Sequence, residues 1–102
     1  TWFHGDLHPK NVVGRDGRLA GVLDWGDVGV GDRSTDLAAV WLHLDAEDHA
    51  AAWDAYGPVS AATRGRAEGW ALFFGVALTD TAADAADPFG CIGRATLARL
   101  SG

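Results

Sequence analysis

The sequence predicts an α+β fold that is mostly α-helical, with one β-hairpin near its start and about four helices after it. Two short apolar runs, at residues 12–13 and 19–23, flank a segment with two glycines, which is typical of a hairpin. From residue 33 onward the apolar residues recur at helical spacing. A hydrophobic content of 48% and five Trp among 102 residues indicate a folded protein whose indole rings would bury a large area.

The hairpin is expected to bring two polar side chains together. Its first strand follows Asn11 and its second strand ends at Asp24, so these residues should lie side by side. Three glycines make residues 26–32 a predicted loop. This loop does not match a dinucleotide-binding fingerprint, which needs a strand directly before it and a helix opening after it.

Four helices are predicted in the remainder of the chain. They are expected to begin near residues 32–35, 46, 60 and 87, and the third is expected to run towards residue 86. The residues predicted to form the buried stripe of the first helix are Leu37, Val40, Trp41 and Leu44. Those predicted to form a broad apolar face on the third helix are Trp70, Phe73, Phe74, Ala77 and Leu78. The glycines expected to allow close packing of the third helix are Gly65, Gly69 and Gly75.

The segment His-Gly-Asp-Leu-His-Pro-Lys-Asn at residues 4–11 carries the strongest chemical signal. Its His-x-Asp triplet ends at Asp6, and four residues separate Asp6 from Asn11. Asp24 comes thirteen positions after Asn11 and opens an Asp-x-Gly triplet. This order matches the protein-kinase pattern, in which the first acid accepts the proton of the acceptor hydroxyl and the other two residues hold Mg²⁺. The three residues can therefore supply the base and the metal ligands of a phosphoryl transfer.

Together with Gly-Asp-Arg-Ser-Thr-Asp-Leu-Ala at residues 31–38, these motifs resemble the aminoglycoside phosphotransferase family, a small-molecule branch of the protein-kinase-like fold. The resemblance implies a partial kinase-like C-terminal lobe. It also implies transfer of the γ-phosphoryl group of ATP or GTP, with Mg²⁺, to a hydroxyl of a small and cationic acceptor. Asp6 would be the catalytic base, and Asn11 and Asp24 the metal ligands. The family label does not by itself imply antibiotic resistance.

Supporting roles are predicted for five further residues, and those of His4 and Asp36 follow from the same resemblance. His4 is expected to brace the catalytic loop, and Asp36 to accept hydrogen bonds from the backbone of that loop. Asp27 is expected to cap its own loop or to contact metal or substrate indirectly. His8 and Lys10 are candidates for a contact with phosphate or substrate, and a solvated position is the alternative for each.

Further along the chain, polar residues near the first two predicted helices are weaker candidates. Asp45, Glu47 and Asp48 form an acidic cluster that could receive amines of a cationic acceptor, although a solvated helix start is favoured. His43 and His49 are predicted to lie at the surface or rim of helices.

Charge and composition exclude several classes of protein. A formal net charge of −6 argues against a nucleic-acid partner and suits a cationic small molecule. No apolar run reaches the ~18 residues expected of a membrane span, so no membrane partner is expected. The single cysteine, Cys91, excludes an intrachain disulfide and fits a cytoplasmic setting.

The N-terminal boundary of the chain lies close to its catalytic motif. No Gly-rich phosphate loop, strand lysine or partner glutamate precedes His4. We therefore expect a C-terminal catalytic-lobe piece of a longer enzyme, inactive without its N-terminal lobe. Residues 1–102 would form one domain, with the catalytic loop, hairpin and metal loop in residues 1–32 and a helical part in residues 33–102. Apolar surface left bare by the missing lobe would favour self-association.

Two other classes of function compete with the kinase interpretation. The chain could be a noncatalytic helical binding or assembly module that retains a remnant kinase motif. It could also be a phosphatase or another metal-dependent hydrolase that uses Asp6 and Asp24. The spacing to Asn11 and the Asp-x-Gly triplet favour the kinase over the hydrolase.

Overall fold

The computed structural model describes residues 1–101, and it has the α+β, mainly helical fold that the sequence predicts. The strands are β1 Trp2–Phe3, β2 Val12–Arg15, β3 Arg18–Val22 and β4 Gly29–Val30. The helices are α1 Ser34–Leu37, α2 Ala39–His43, α3 His49–Tyr56, α4 Ala61–Asp80 and α5 Pro88–Ser101. Two short 3-10 turns lie at Pro9–Asn11 and Ala46–Asp48. None of the helices within the described range is long and apolar enough to cross a membrane.

Strands β2 and β3 form the predicted antiparallel hairpin. Its turn is centred on Asp16 and Gly17, with φ angles of +52° and +75°. Two central residues with positive φ are the signature of a type I′ turn, which matches the twist of the flanking strands. The pairing places Val12 opposite Val22. The residues on either side of this pair, which include Asn11, are thereby brought to one end of the hairpin.

Residues 26–32 are only partly the loop that the glycines predict. Strand β4 lies within this segment and pairs with β1 in antiparallel register, with Phe3 opposite Gly29. The N–H of Gly31 also donates to the carbonyl of Thr1 at 2.8 Å. A Cβ at Gly29 would lie 2.7 Å from the Phe3 ring. Gly29 therefore lets the strand pack against an aromatic ring, and its value is close approach as well as flexibility.

The first predicted helix is broken into α1 and α2 at Ala38. Leu37, Trp41 and Leu42 from this segment are buried, and they contribute to the hydrophobic core. Leu44 lies beyond the end of α2 in an extended conformation, with φ of −119°, so it is not part of the helical stripe. The second predicted helix is confirmed as a 3-10 turn followed by α3, and its Trp53 packs edge-on against Trp41 at 5.8 Å.

Helix α4 begins as predicted, and its most deeply buried residues lie outside the predicted apolar face. The Ser60 hydroxyl accepts a hydrogen bond from the N–H of Thr63 at 3.0 Å, which is an N-cap. The helix ends at Asp80, six residues before the predicted end. Its buried residues are small and lie four positions apart: Thr63, Ala67, Ala71 and Gly75. The predicted apolar face is divided, since Phe74 and Leu78 pack half-buried against the core whereas Trp70 and Phe73 are 38% and 57% exposed.

The buried face of α4 consists of small residues because α5 packs closely against it. Asp87 caps α5 by accepting a hydrogen bond from the N–H of Phe89 at 2.9 Å. A Cβ at Gly93 would lie 2.7 Å from the Gly75 carbonyl oxygen, so the two backbones nearly touch. No atom lies within 4 Å of a Cβ added at Gly65 or Gly69. The prediction of close helix packing is therefore confirmed for Gly75 and is wrong for Gly65 and Gly69.

The tryptophans divide between core and surface. Trp41 and Trp53 are buried, whereas Trp2, Trp25 and Trp70 are exposed, so the expected burial of all five is wrong. Exposed apolar side chains also line the outer face of α4: Leu72, Phe73 and Val76. The self-association expected of such a surface stays a prediction.

Candidate active site

The catalytic loop, residues 4–11, lies between the open end of the β2–β3 hairpin and the helices α1 and α2. His4, His8 and Asn11 are buried, although all three are polar. Asp6 is half-buried and Asp24 is exposed. Buried polar groups are retained in a fold only when hydrogen bonds replace their water. The contacts of this loop account for each of them.

Asp36 holds the start of the catalytic loop from α1. Its Oδ2 accepts a hydrogen bond from the backbone N–H of His4 at 2.6 Å, and its Oδ1 accepts one from Gly5 at 2.9 Å. Gly5 has a φ of +95°, and a Cβ there would lie 2.7 Å from the carbonyl oxygen of Asp27. A larger residue at position 5 would therefore separate the catalytic loop from the loop that carries Asp27. The Asp27 residue itself is exposed, and its predicted role stays a prediction.

The His4 ring links the catalytic loop to the end of β3. Its Nδ1 accepts a hydrogen bond from the N–H of Asp6 at 3.1 Å, so its proton resides on Nε2. That Nε2–H donates to the carbonyl of Leu23 at 2.7 Å, one residue before Asp24. The Trp25 ring packs edge-on against His4 at 4.6 Å. These contacts connect the backbone of Asp6 to the segment before Asp24 through His4, and the catalytic relevance of that connection stays a prediction.

Asn11 connects the two halves of the site. Its Nδ2–H₂ group donates to the carbonyl oxygen of Asp6 at 2.8 Å and faces the Asp6 carboxylate at 3.3 Å. The backbone carbonyl of Asn11 accepts a hydrogen bond from the N–H of Leu23 at 2.7 Å. Within residues 1–101, the side-chain Oδ1 of Asn11 takes part in no hydrogen bond, so that oxygen is free to bind an external group. The hairpin thus sets Asn11 beside the segment that carries Asp24, as predicted.

Asp24 adopts an unusual backbone conformation for a residue with a side chain. Its φ is +56°, in the left-handed region that favours glycine. This conformation costs an L-residue about 1–2 kcal/mol. The residue is also exposed, so burial of its own side chain does not explain why the strain is kept. Strain of this kind concentrates at functional positions, where a particular side chain is needed in a particular direction.

Replacing Asp24 with Gly should separate stability from function. The strain of about 1–2 kcal/mol would be relieved, and the greater freedom of Gly in the unfolded chain would cost about 0.5–1 kcal/mol. We expect the free energy of unfolding to stay level or rise by up to about 1.5 kcal/mol in urea denaturation. Asp16→Gly is the matched control, because Asp16 has a φ of +52° in the hairpin turn. If Asp24 is the metal ligand that the sequence predicts, only Asp24→Gly should abolish Mg²⁺-dependent phosphoryl transfer by the complete protein, and equal transfer by the two variants would contradict that prediction.

His8 and Lys10 do not have equivalent positions. The Nδ1 of His8 accepts a hydrogen bond from the N–H of Lys10 at 3.2 Å, and its Nε2 lies 3.5 Å from Asp6 Oδ2. The Phe89 ring at the start of α5 packs edge-on against His8 at 5.4 Å. Lys10 is exposed, and its charge is among the influences that lower the pKa of Asp87, after the hydrogen bonds from Ala83 and Phe89. The predicted contacts of His8 and Lys10 with phosphate or substrate stay predictions.

His43 contacts the catalytic loop, which the sequence analysis missed. It is half-buried, and its Nε2–H donates to the carbonyl of Leu7 at 2.9 Å. Its half-buried position agrees with the rim position that was one of the two predicted, but the contact with the catalytic loop was not predicted. The signal was present in the helical spacing, since His43 follows Asp36 by seven residues and so projects from the same side of the helical segment. Asp36 and His43 both contact the loop.

Burial of His43 predicts a stability change in weak acid. Desolvation lowers the pKa of His43 below its ordinary value of 6.5, the bond to Leu7 opposes that shift, and the charges of His8 and Arg99 add to it. The unfolded state therefore takes up the proton first, and stability is lost as the pH falls below 6.5. Urea denaturation should show this loss, and a His43→Gln variant should show less of it. Parallel pH profiles for the two proteins would contradict the assignment.

One of the three acids in the cluster after α2 is paired with a basic side chain. Asp45 pairs with Arg99, whose Nη2 lies 3.1 Å from its Oδ1. Arg99 also donates from Nη1 to the carbonyls of Trp41 at 3.0 Å and Leu42 at 3.3 Å. This arginine therefore caps the end of α2, and Asp45 has a structural partner. The other two acids of the cluster are exposed.

The donor set at the open end of the hairpin fits Mg²⁺. An amide oxygen from Asn11 and a carboxylate from Asp24 are the hard oxygen ligands that this ion prefers, and it usually adds phosphate oxygens and water. Within residues 1–101, no group of three His, Cys, Asp or Glu side chains converges on a metal position. Because Mg²⁺ usually takes only one or two protein groups with phosphate oxygens and water, this pair would suit an ion that arrives with a nucleotide.

A half-buried acid, a neighbouring amide and a strained acid thus lie together at one end of the hairpin. The chain belongs to the phosphotransferase enzyme family, whose sequence model matches residues 1–70. That match includes all the candidate residues between His4 and Asp36, whereas α5 lies outside it.

Shorter segments of the chain match individual phosphotransferases. Viomycin phosphotransferase of Streptomyces vinaceus is 51% identical over 41 residues, which is 36% of this chain. Aminoglycoside 3'-phosphotransferases of Escherichia coli and Salmonella typhimurium are each 45% identical over 38 residues, which is 37% of this chain. The matched segments cover 14% of the length of each relative. No solved structure matches the chain.

Proposed function

We propose that this chain carries the base and the metal ligands of a small-molecule kinase. The kinase would transfer the γ-phosphoryl group of ATP or GTP to a hydroxyl of a small, cationic acceptor. The observation that carries the proposal is the connected set of Asp6, Asn11 and Asp24. Asn11 binds the Asp6 residue through its side chain and the segment before Asp24 through its backbone. Residues 1–32 supply the chemistry in this proposal, and the helices support them.

Asp6 would act on the acceptor hydroxyl. Its carboxylate is half-buried and faces the Asn11 amide and the His8 ring, which limits the directions it can take. A carboxylate in this position orients the hydroxyl for in-line attack and accepts its proton as the phosphoryl group is transferred. The proton would pass from the acceptor oxygen to an Asp6 oxygen. The backbone of Asp6 stays fixed meanwhile, because its N–H donates to His4 and its carbonyl accepts from Asn11.

Asn11 and Asp24 would hold Mg²⁺ with the nucleotide phosphates. When bound, the ion would neutralise the charge that develops on the transferred group and the leaving oxygen. The Asn11 side chain is held by the hydrogen bond from its Nδ2–H₂ group to the Asp6 carbonyl, and Asp24 has a defined backbone conformation. The Asn11 ligand is therefore oriented before the ion and nucleotide arrive, which reduces the cost of binding them.

A cationic acceptor is favoured by charge and by the relatives. The relatives are named for viomycin and for aminoglycosides. The net charge of −6 would attract molecules with several amines to this chain. We propose polyamine-bearing alcohols of this kind as the substrate class, with antibiotic modification as the activity to test first.

The test is a transfer assay on the complete protein that contains these residues. Mg²⁺ with γ-labelled ATP or GTP would be incubated with viomycin, several aminoglycosides and simple amino alcohols. We expect label on a hydroxyl of at least one acceptor, and loss of that label in Asp6→Asn and in Asp24→Asn. Transfer that survives both substitutions would contradict the proposal, and absence of transfer to every acceptor would favour the noncatalytic alternative.

A second measurement concerns the 102-residue chain alone. We propose that most phosphate contacts come from a nucleotide-covering lobe, as in kinases generally. Isothermal titration of the isolated chain with Mg-ATP should therefore give weak binding or none. Tight binding would contradict the proposed dependence on that lobe.

A further inference from the structure

One peptide group in the catalytic loop is held on both sides. The peptide that joins Leu7 to His8 donates its N–H to the carbonyl of Asp6 at 3.0 Å. Its C=O accepts the hydrogen bond from His43 at 2.9 Å, across 36 residues of sequence. A peptide group is planar, so fixing both its N–H and its C=O fixes the rotation of the chain between Asp6 and His8.

The donor of this hydrogen bond is itself fixed in place. His43 is the last residue of α2, and the two residues before it have their carbonyls bound by Arg99 from α5. Arg99 is in turn paired with Asp45, which follows α2. The imidazole is half-buried, which limits its alternative rotamers. Helices α2 and α5 therefore determine where the Leu7 carbonyl can lie.

We propose that His43 is a positioning residue for phosphoryl transfer, and that it sets the direction of the Asp6 carboxylate through the Leu7–His8 peptide. This inference rests on the proposed function, because it assigns Asp6 the role of base. Asp36 holds the first two residues of the loop, and His43 would hold its middle. Without the imidazole, the peptide could rotate, and the carbonyl of Asp6 would keep its bond from Asn11 but lose the one from the His8 N–H. A shift of about 1 Å in a catalytic group can lower a rate by about 10²-fold.

The experiment compares three variants of the complete protein. His43→Leu removes the donor and keeps an apolar side chain of moderate size. His43→Gln keeps an N–H that can reach the Leu7 carbonyl. His49→Leu is the matched control, because His49 is also half-buried and its Nε2–H donates to a backbone carbonyl, that of Leu44, at 2.8 Å.

We expect kcat to fall by about 10–100-fold in His43→Leu, with KM for nucleotide and acceptor within about threefold of the unmodified protein. His43→Gln should recover most of kcat, and His49→Leu should keep it. Equal losses in His43→Leu and His49→Leu would overturn the proposal, because a general loss of stability would then explain both. A His43→Gln variant no better than His43→Leu would also overturn it.

A readout that does not depend on activity separates this inference from the proposed function. Hydrogen exchange of the His8 amide should be faster in His43→Leu and unchanged in His49→Leu, because only the first variant frees the peptide that carries this N–H. Unchanged exchange in His43→Leu would overturn the positioning role. If the unmodified protein transfers no phosphoryl group while His8 exchange responds as expected, the proposed function fails and the structural coupling holds.

Discussion

Replacing Asp6 with Asn in the complete protein is expected to lower kcat by about 10²–10⁴-fold, the usual contribution of a positioned general base. Asn has nearly the same shape as Asp but cannot accept the hydroxyl proton. Nucleotide affinity should change by less than about threefold, because Asp6 does not hold the phosphates in this account. Steady-state kinetics and a nucleotide titration on the same preparation would measure both quantities.

The structure explains why this variant should remain folded. The anchoring bonds of Asp6 run through its backbone N–H and carbonyl, and neither depends on the carboxylate. The Asp6 carboxylate faces the amide group of Asn11 at 3.3 Å, and the side-chain oxygen of an Asn at position 6 can also accept a hydrogen bond from that group. A loss of nucleotide affinity as large as the loss of kcat would show that Asp6 is a structural residue and not the base.

Replacing Gly93 with Val is expected to cause the largest loss of stability. The new Cβ would meet the Thr79 hydroxyl, and it would lie 2.7 Å from the Gly75 carbonyl oxygen and 2.7 Å from the Thr79 amide nitrogen. Because two of these neighbours are backbone atoms, the helices must separate. We expect a loss of about 3 kcal/mol in the free energy of unfolding, at the upper end of overpacking costs. The melting temperature should fall by about 12 °C or more.

The same substitution at an open position of α4 is the control. Gly69→Val introduces a side chain where nothing lies within 4 Å, so its effect should be limited to a helix-propensity gain of a few tenths of a kcal/mol. Gly93→Ala should give a smaller loss than Gly93→Val, and it remains measurable if the larger variant does not fold. Equal stability of Gly93→Val and Gly69→Val would contradict the close contact between α4 and α5.

The local features of the site were predictable because they depend on short stretches of chain. The hairpin followed from the β-branched pair and the Asp-Gly turn, and that hairpin is sufficient to set Asn11 beside the segment with Asp24. The N-caps at Ser60 and Asp87 also followed from single residues and their neighbours. In each case the deciding interaction lies within about a dozen residues of sequence, where turn and capping rules apply.

The features that were missed depend on which surfaces meet across the fold. Helix α4 carries aromatic residues on one side and small residues on another, and hydrophobicity alone favours burial of the aromatic side. The structure buries the small side most deeply, because α5 brings Gly93 against Gly75. The bond from His43 to Leu7 spans 36 residues, and strand β4 forms only because β1 lies beside it. No local pattern specifies such pairings.

In the proposed function, the hairpin assembles a metal–nucleotide site from Asn11 and Asp24. The most direct test is a titration of the complete protein with Mn²⁺ and nucleotide, followed by electron paramagnetic resonance, in the unmodified protein, Asp24→Asn and Asp16→Asn. Loss of one charged ligand should weaken Mn²⁺–nucleotide binding by at least about tenfold in Asp24→Asn. Asp16→Asn, at the far end of the same hairpin, should bind as the unmodified protein does. Equal affinities for the two variants would contradict the claim.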